Sequence, residues 1–346
     1  MRRVITFVLI GLGVFALALG LLLRFYAYPN LAKAPLNPDS LSVGQGSGIT
    51  ALVFVKNGSA DTPEIRRNLN LTSTTTVTGD FTQPEVKDGT DVASWIEAAI
   101  VRADGEPDLQ PVDGSVRQLC VDRFSGEAVV PCESQYIQEG DYDDRVIGTR
   151  DELQQPGLSF KLPFDAEKKT YKWYDLTAKG AYDLVFEAED TVKGLDVYRY
   201  SYEVPPTKID ERQVPGTLVG STEPTVDADL YYQVKKTIWA DPVTGAVVAG
   251  EQTGRQELRQ AGEGAGQGTS VFEGTLRLND DTVDRFVKAA EDNRSKLWLL
   301  TTLPVILWIV GPLLIILGVA LLLLGRRDED RADSDRRQPA LARSDG

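Results

Sequence analysis

Asp141, Asp143 and Asp144 form the densest group of chemistry-bearing side chains in the chain. Crowded carboxylates suit calcium, but a calcium-binding loop needs a longer ligand series closed by a Glu, which is missing here. A solvated acidic loop is the expectation, with no metal. Paired Asp or Glu could also serve as the acid and base of a glycosidase, although acids are so numerous that no pair stands out. The chain contains no histidine. The commonest general base, triad partner and metal ligand is therefore absent. The spacing Gly-x-Ser-x-Gly does not occur, and Gly46-Ser47-Gly48 is only a turn signal. Gly262 to Gly268 lacks both the Gly-Lys-Ser/Thr of a phosphate loop and the dinucleotide spacing, so it reads as a flexible loop. No catalytic residue, cofactor or metal ligand is assigned, and the chain is expected not to be an enzyme.

Cys120 and Cys132 are the only cysteines. An even count in a segment placed outside the cytoplasm is expected to form a disulfide. Closing so short a loop contributes on the order of 3 kcal/mol in the loop-entropy model. A zinc site would need more ligands, and a redox pair closer spacing.

Two apolar segments must position everything else. Val4 to Leu23 and Leu297 to Leu324 contain no charged residue, and about 20 helical residues suffice to cross roughly 30 Å of hydrocarbon. Arg2 and Arg3 precede the first span, and Arg326 and Arg327 follow the second. Positive flanks stay cytoplasmic, so both termini are expected inside and the body outside, in a two-pass plasma-membrane protein. Phe25, Tyr26, Tyr28 and Trp298 fit the outer interface, where Arg24 can snorkel. The rival reading of the N-terminus is a signal peptide cleaved near Ala16-Leu17-Ala18. Cleavage there would leave Leu19 to Leu23 as an exposed apolar stub. Pro304 and Pro312 imply kinks in the second span, and Gly11, Gly13 and Gly20 let another helix approach the first.

The expected organisation is a cytosolic stub and span over residues 1–24, a β-rich extracytoplasmic domain over 25–296, a second span over 297–324 and a disordered cytosolic tail over 325–346. Setting aside three basic residues up to Arg24, and six basic and six acidic residues in the tail, leaves 45 Asp and Glu against 28 Lys and Arg. A net charge of about −17 repels nucleic acid and offers no basic stripe for a phosphate backbone. It serves solubility, and it could also attract basic partners.

The body is expected to be mainly β (α+β), built from antiparallel sheets. Thr50 to Val55, Leu71 to Val77 and Val92 to Val101 are strand-like runs, and Pro29, Pro35 and Pro38 make Tyr28 to Ser40 an extended connector. Tyr182 to Val192 and Leu195 to Val204 flank Lys193-Gly194, a tight-turn pair. Tyr198, Tyr200 and Tyr202 share one face, either a packed core or a ligand-facing wall. Asp122-x-x-Ser125-Gly126 is echoed by Asp241-x-x-Thr244-Gly245, which suggests duplicated halves; independent use of a good turn is the alternative. Asp281 to Lys296 reads as an amphipathic helix, with Asn279 or Asp280 as cap. Asn57-Gly58-Ser59 and Asn70-Leu71-Thr72 are glycosylation sequons by pattern. The absence of His, the single Met and the many Gly suit a high-GC bacterium.

Tyr28-Pro-Asn-Leu-Ala-Lys-Ala-Pro-Leu36, the Asp122 turn, Phe160-Lys-Leu-Pro-Phe164, Tyr171-Lys-Trp-Tyr-Asp175 and Gly194-Leu-Asp-Val-Tyr-Arg-Tyr200 together resemble an actinobacterial membrane-protein family labelled porin PorA. The resemblance implies a membrane location; its motifs carry structure, not known chemistry. Two helical anchors cannot themselves make a transmembrane β-barrel, so a pore would require an oligomer. The two-anchor layout also resembles, in topology alone, the class B scavenger receptors, which hold a β-rich, lipid-conducting ectodomain between terminal spans. The expected function is binding or passage of a hydrophobic, lipid-like envelope component. The alternatives are a non-catalytic envelope scaffold acting through its acidic face, a porin-type channel and a carboxylate-based hydrolase.

Overall fold

Alternating and β-branched runs become eleven antiparallel strands among the residues that the computed structural model describes, 2–56, 61–86, 91–139 and 154–336. The acidic cluster at Asp141, Asp143 and Asp144 and the sequon at Asn57 lie outside them. The strands are β1 (Ser40–Val55), β2 (Thr62–Gly79), β3 (Val92–Ala103), β4 (Asp113–Asp122), β5 (Tyr136–Glu139), β6 (Tyr171–Asp175), β7 (Gly180–Val192), β8 (Leu195–Pro215), β9 (Thr225–Ala240), β10 (Val247–Arg259) and β11 (Thr269–Leu278). They form one sheet in the order β5-β4-β3-β2-β1-β11-β10-β9-β8-β7-β6.

Two meanders thus follow each other across the sheet, joined where β1 pairs with β11 through Ala51 and Phe272. The sheet curls into a half-barrel. Single bridges Val121–Ala128, Glu127–Leu158 and Leu158–Trp173 lead from β4 to β6 and link its two ends along one rim.

The concave face carries the core. Tyr200, Tyr202 and Val204 of β8 pack with Tyr232, Val234, Ile238 and Ala240 of β9 and with Leu158, Trp173 and Leu184. The aromatic row of β8 is therefore packed core. Ile49, Ala51, Val53, Leu69 and Leu71 form a second cluster, against which Phe272 and Leu276 of β11 pack. Pro205 and Pro206 fall where the β8–β9 register shifts between Val204 and Thr207, a place where a missing N–H does no harm.

Local turn chemistry is as the residues dictate. Lys193 and Gly194 both have positive φ, at 50° and 91°, and form the two-residue link between β7 and β8. The echoed turns are built alike. Asp122 Oδ1 accepts from the N–H groups of Phe124 and Ser125 and from Ser125 Oγ. Asp241 accepts from Val243 N–H, Thr244 N–H and Thr244 Oγ1. Each turn ends the fourth strand of its meander, β4 and β9. Both turns also pack on one segment: Leu162 N–H donates to Gly245 O, and Phe164 N–H donates to Phe124 O. A Cβ at Gly245 would lie 2.0 Å from Leu162 O, so only glycine fits.

The chain divides into two compact units, Lys33–Arg294 and a second made of Met1–Ala32 with Ser295–Gly346. In the second unit, α1 (Arg2–Leu21) continues through a π-helical turn at Leu22–Ala27 into α2 (Tyr28–Leu31). Helical backbone thus extends into the expected connector, because Pro29 stands in the first turn of α2, where no N–H is needed. A single helix, α3, runs from Asp280 to Arg336 and includes Pro304 and Pro312. It passes beyond Leu324 into the segment expected to be disordered.

Within this unit α1 and α3 pack antiparallel through glycines. A Cβ on Gly13 would lie 2.7 Å from Gly311 O, Gly318 sits against Thr6 and Ile10, and Gly20 sits against Trp308. Phe25 stacks on Trp308 with ring centroids 6.1 Å apart. The outward faces, including Phe7, Val8, Phe15, Ile309, Leu313 and Ile316, are exposed apolar surface. Both helices are long and apolar enough to cross a membrane.

The first turns of α3 belong to the β-rich unit. Asn279 caps them by accepting from Thr282 N–H at 3.0 Å. Val283, Val287 and Ala290 are buried against Leu195, Val197 and Val248, as their helical spacing predicts.

Candidate functional site

β9 alternates Tyr232, Val234, Lys236, Ile238 and Ala240 on the concave face, and the apolar members of that row are buried. Lys236 is the one charge among them. Directly opposite it stand Tyr202 on β8 and Gln252 on β10. Lys236 and Gln252 are both partly exposed. Burial pulls the Lys236 amine below the ordinary lysine range, while Asp175 and Glu97 oppose that shift and Arg117 adds to it. Arg117 belongs to β4, six places from β9 in the sheet, so its influence on Lys236 reflects the curl.

The other charges of this belt are held by partners. Arg117 donates from Nε to Glu97 Oε1 at 2.9 Å and from Nη2 to Glu97 Oε2 at 3.3 Å, while Nη1 reaches Ser159 Oγ at 3.4 Å. Its guanidinium also lies over the Phe160 ring, 5.0 Å from the centroid. Asp175, at the end of β6, accepts from Tyr202 Oη at 2.8 Å, Tyr232 Oη at 3.2 Å and Ala178 N–H at 2.8 Å. Burial first, and the Asp175 charge second, push both phenols well above their usual range. Those tyrosines stay neutral donors at physiological pH. Lys236 and Gln252 have no side-chain hydrogen bond or ion pair among the described residues, which leaves two adjacent, partly exposed donors on the concave face.

A second cation, Lys161, is buried between the two meanders. Its Nζ donates to Phe124 O at 3.2 Å and lies 4.3 Å from the Phe164 ring centroid. Burial pulls its pKa down to about 7, against the pull of Asp122.

Cys120 and Cys132 form a disulfide on the convex side of β4. Glu85 approaches both sulfurs, giving three candidate ligand atoms within 4.8 Å of one another. Sulfurs bonded to each other are not thiolates, so this group is no metal site in the oxidised protein. Glu85 Oε1 instead accepts from the N–H groups of Glu133 and Ser134. The Gly262 to Gly268 segment connects β10 to β11, with Gly266 N–H donating to Glu257. Asn70 of the remaining sequon lies within β2. Sequence reasoning missed Glu97, Arg117, Asp175 and Lys236. The available signal was a lysine inside an otherwise apolar alternating row.

A family model described as Porin PorA matches residues 5–320. The chain belongs to that family. A protein named Porin PorA from Corynebacterium amycolatum is 24% identical over a 205-residue alignment taking in 47% of this chain and 53% of its own length. Another Porin PorA, from Corynebacterium resistens, is 20% identical over 246 residues, taking in 52% of this chain and 59% of its own. The match thus spans between half and three-fifths of these relatives. PorA membership and the apolar helices together indicate an envelope protein suited to membrane anchoring.

Proposed function

We propose that this PorA-family protein is held in the plasma membrane by α1 and α3, with both termini cytoplasmic and the β-rich unit outside. Its concave sheet face binds or passes a hydrophobic, lipid-like envelope component without catalysing chemistry. The observation that carries this reading is the concave face itself, where aliphatic and aromatic residues gather in two apolar clusters, one centred on β8 and β9 and one on β1 and β2. The antiparallel packing of α1 on α3 supports the topology, because an antiparallel spanning pair puts both chain ends on one side.

The relatives' name raises conduction as a second reading. The outer face of the sheet carries ion pairs such as Arg277–Glu251 and Lys208–Asp229. A lipid-facing barrel wall would pay about 2–4 kcal/mol for each midplane Lys or Arg, which argues against the sheet as the spanning element. Native mass spectrometry of protein extracted from its own membrane tests the main reading. A stoichiometric adduct of lipid mass is expected. Bare protein together with single-channel conductance in planar bilayers would overturn it in favour of a pore.

A further inference from the structure

We infer that the cross-strand pair Lys236 and Gln252 receives the acidic head of a single-chain amphiphile, with its acyl chain along the concave face. This inference rests on the hydrophobic-ligand reading and adds the class of head group. Residues directly opposite on neighbouring strands hold their Cβ atoms about 4.5–5.5 Å apart. An ammonium and a carboxamide at that spacing suit the two oxygens of one carboxylate.

The surrounding bonds favour this pair over its neighbours. Arg117 spends its fork on Glu97 and Ser159. Asp175 is occupied by two phenols and a backbone N–H. The four belt charges are therefore two satisfied acids, one satisfied guanidinium and one ammonium with no bonded partner among the described residues. Lys236 is partly exposed on this face, so its ammonium has no bonded partner yet stays open to an incoming anion. Leu276 stands directly opposite Gln252 on β11, and it and Phe272 are partly exposed on the same face, so an apolar chain leaving the head meets accessible hydrocarbon and a ring there.

A single ammonium suits a monoanion such as a fatty-acid carboxylate, and an acidic phospholipid serves as the competing occupant in the test. The test uses the full-length protein, delipidated in detergent, with oleate, oleyl alcohol and dioleoyl phosphatidate as probes. Wild type is expected to bind oleate about tenfold more tightly than oleyl alcohol. Lys236→Met should remove that preference while leaving alcohol binding intact, and Lys236→Arg should restore it. Retained alcohol binding shows that the Met variant is folded. Competition by phosphatidate stronger than by oleate would overturn the single-chain carboxylate in favour of a two-chain phosphate lipid. Equal binding of acid and alcohol to wild type would overturn the inference and leave the hydrophobic-ligand reading standing. Binding of none of the three would overturn both.

Discussion

Arg294 donates from Nε to Oδ1 of the fully buried Asp241 at 2.7 Å, and its Nη2 reaches Asp196 O, also at 2.7 Å. One arginine thereby fastens the first turns of α3 to the β9–β10 turn and to the start of β8. Arg294→Ala leaves a buried carboxylate with only its turn donors, since Val243 and Thr244 remain bonded to it. A loss of about 2 kcal/mol is expected, read as a lower urea midpoint for the β-rich unit with unchanged slope. Arg294→Lys should recover only part of it, because an ammonium cannot repeat the guanidinium geometry.

Lys161 sets a pH dependence. Its folded pKa is about 7 against an ordinary 10.5, so between those values the unfolded chain holds a proton that the folded chain does not. Stability is therefore lowest below pH 7 and rises as the pH climbs toward 10.5. Lys236 shifts in the same direction and adds the same sign. Tyr200, Tyr202 and Tyr232 are raised, so above pH 10 the unfolded chain loses protons that they keep, and stability falls. The unfolding free energy of Lys161→Met should vary less than that of wild type between pH 7 and 10, by about a few kcal/mol at about 1.4 kcal/mol per unit of pKa, read from urea midpoints across that range.

The two apolar helices offer a paired test. Gly13→Leu places a side chain against Gly311 O and Ile315, whereas a Cβ at Gly11 meets nothing within 4 Å. Gly13→Leu should cost about 1–3 kcal/mol in detergent, and Gly11→Leu close to nothing. Equal effects at the two positions would refute the packing of α1 on α3.

Replacing both cysteines by serine removes a crosslink between residues 12 apart. A loss near 3 kcal/mol is expected, and reducing agent should lower the wild-type midpoint to that of the variant.

Features written in contiguous residues were legible in the sequence. The Asp-x-x-Ser/Thr-Gly turns, the Lys193-Gly194 hairpin and the Asn279-capped helix each depend on atoms a few positions apart, so their chemistry is visible locally. The apolar ends were legible for the same reason. The extent of β1 was not, because Gly44, Gly46 and Gly48 hide a strand that begins at Ser40. The charged belt was least legible. Glu97, Arg117, Ser159, Asp175, Tyr202, Tyr232 and Lys236 come from five strands and a connecting segment, and only the curl brings them together. Each of these residues alone looks like ordinary surface or core.

The central claim, that the concave face of the sheet holds an acyl chain, is tested most directly by photolabelling. The full-length protein would be loaded with a fatty acid bearing a diazirine along its chain, irradiated and mapped by peptide mass spectrometry. The account predicts labels on the partly exposed concave-face residues Gln252, Phe272 and Leu276, reduced by excess oleate. Labels confined to residues 4–31 and 297–324 would contradict it.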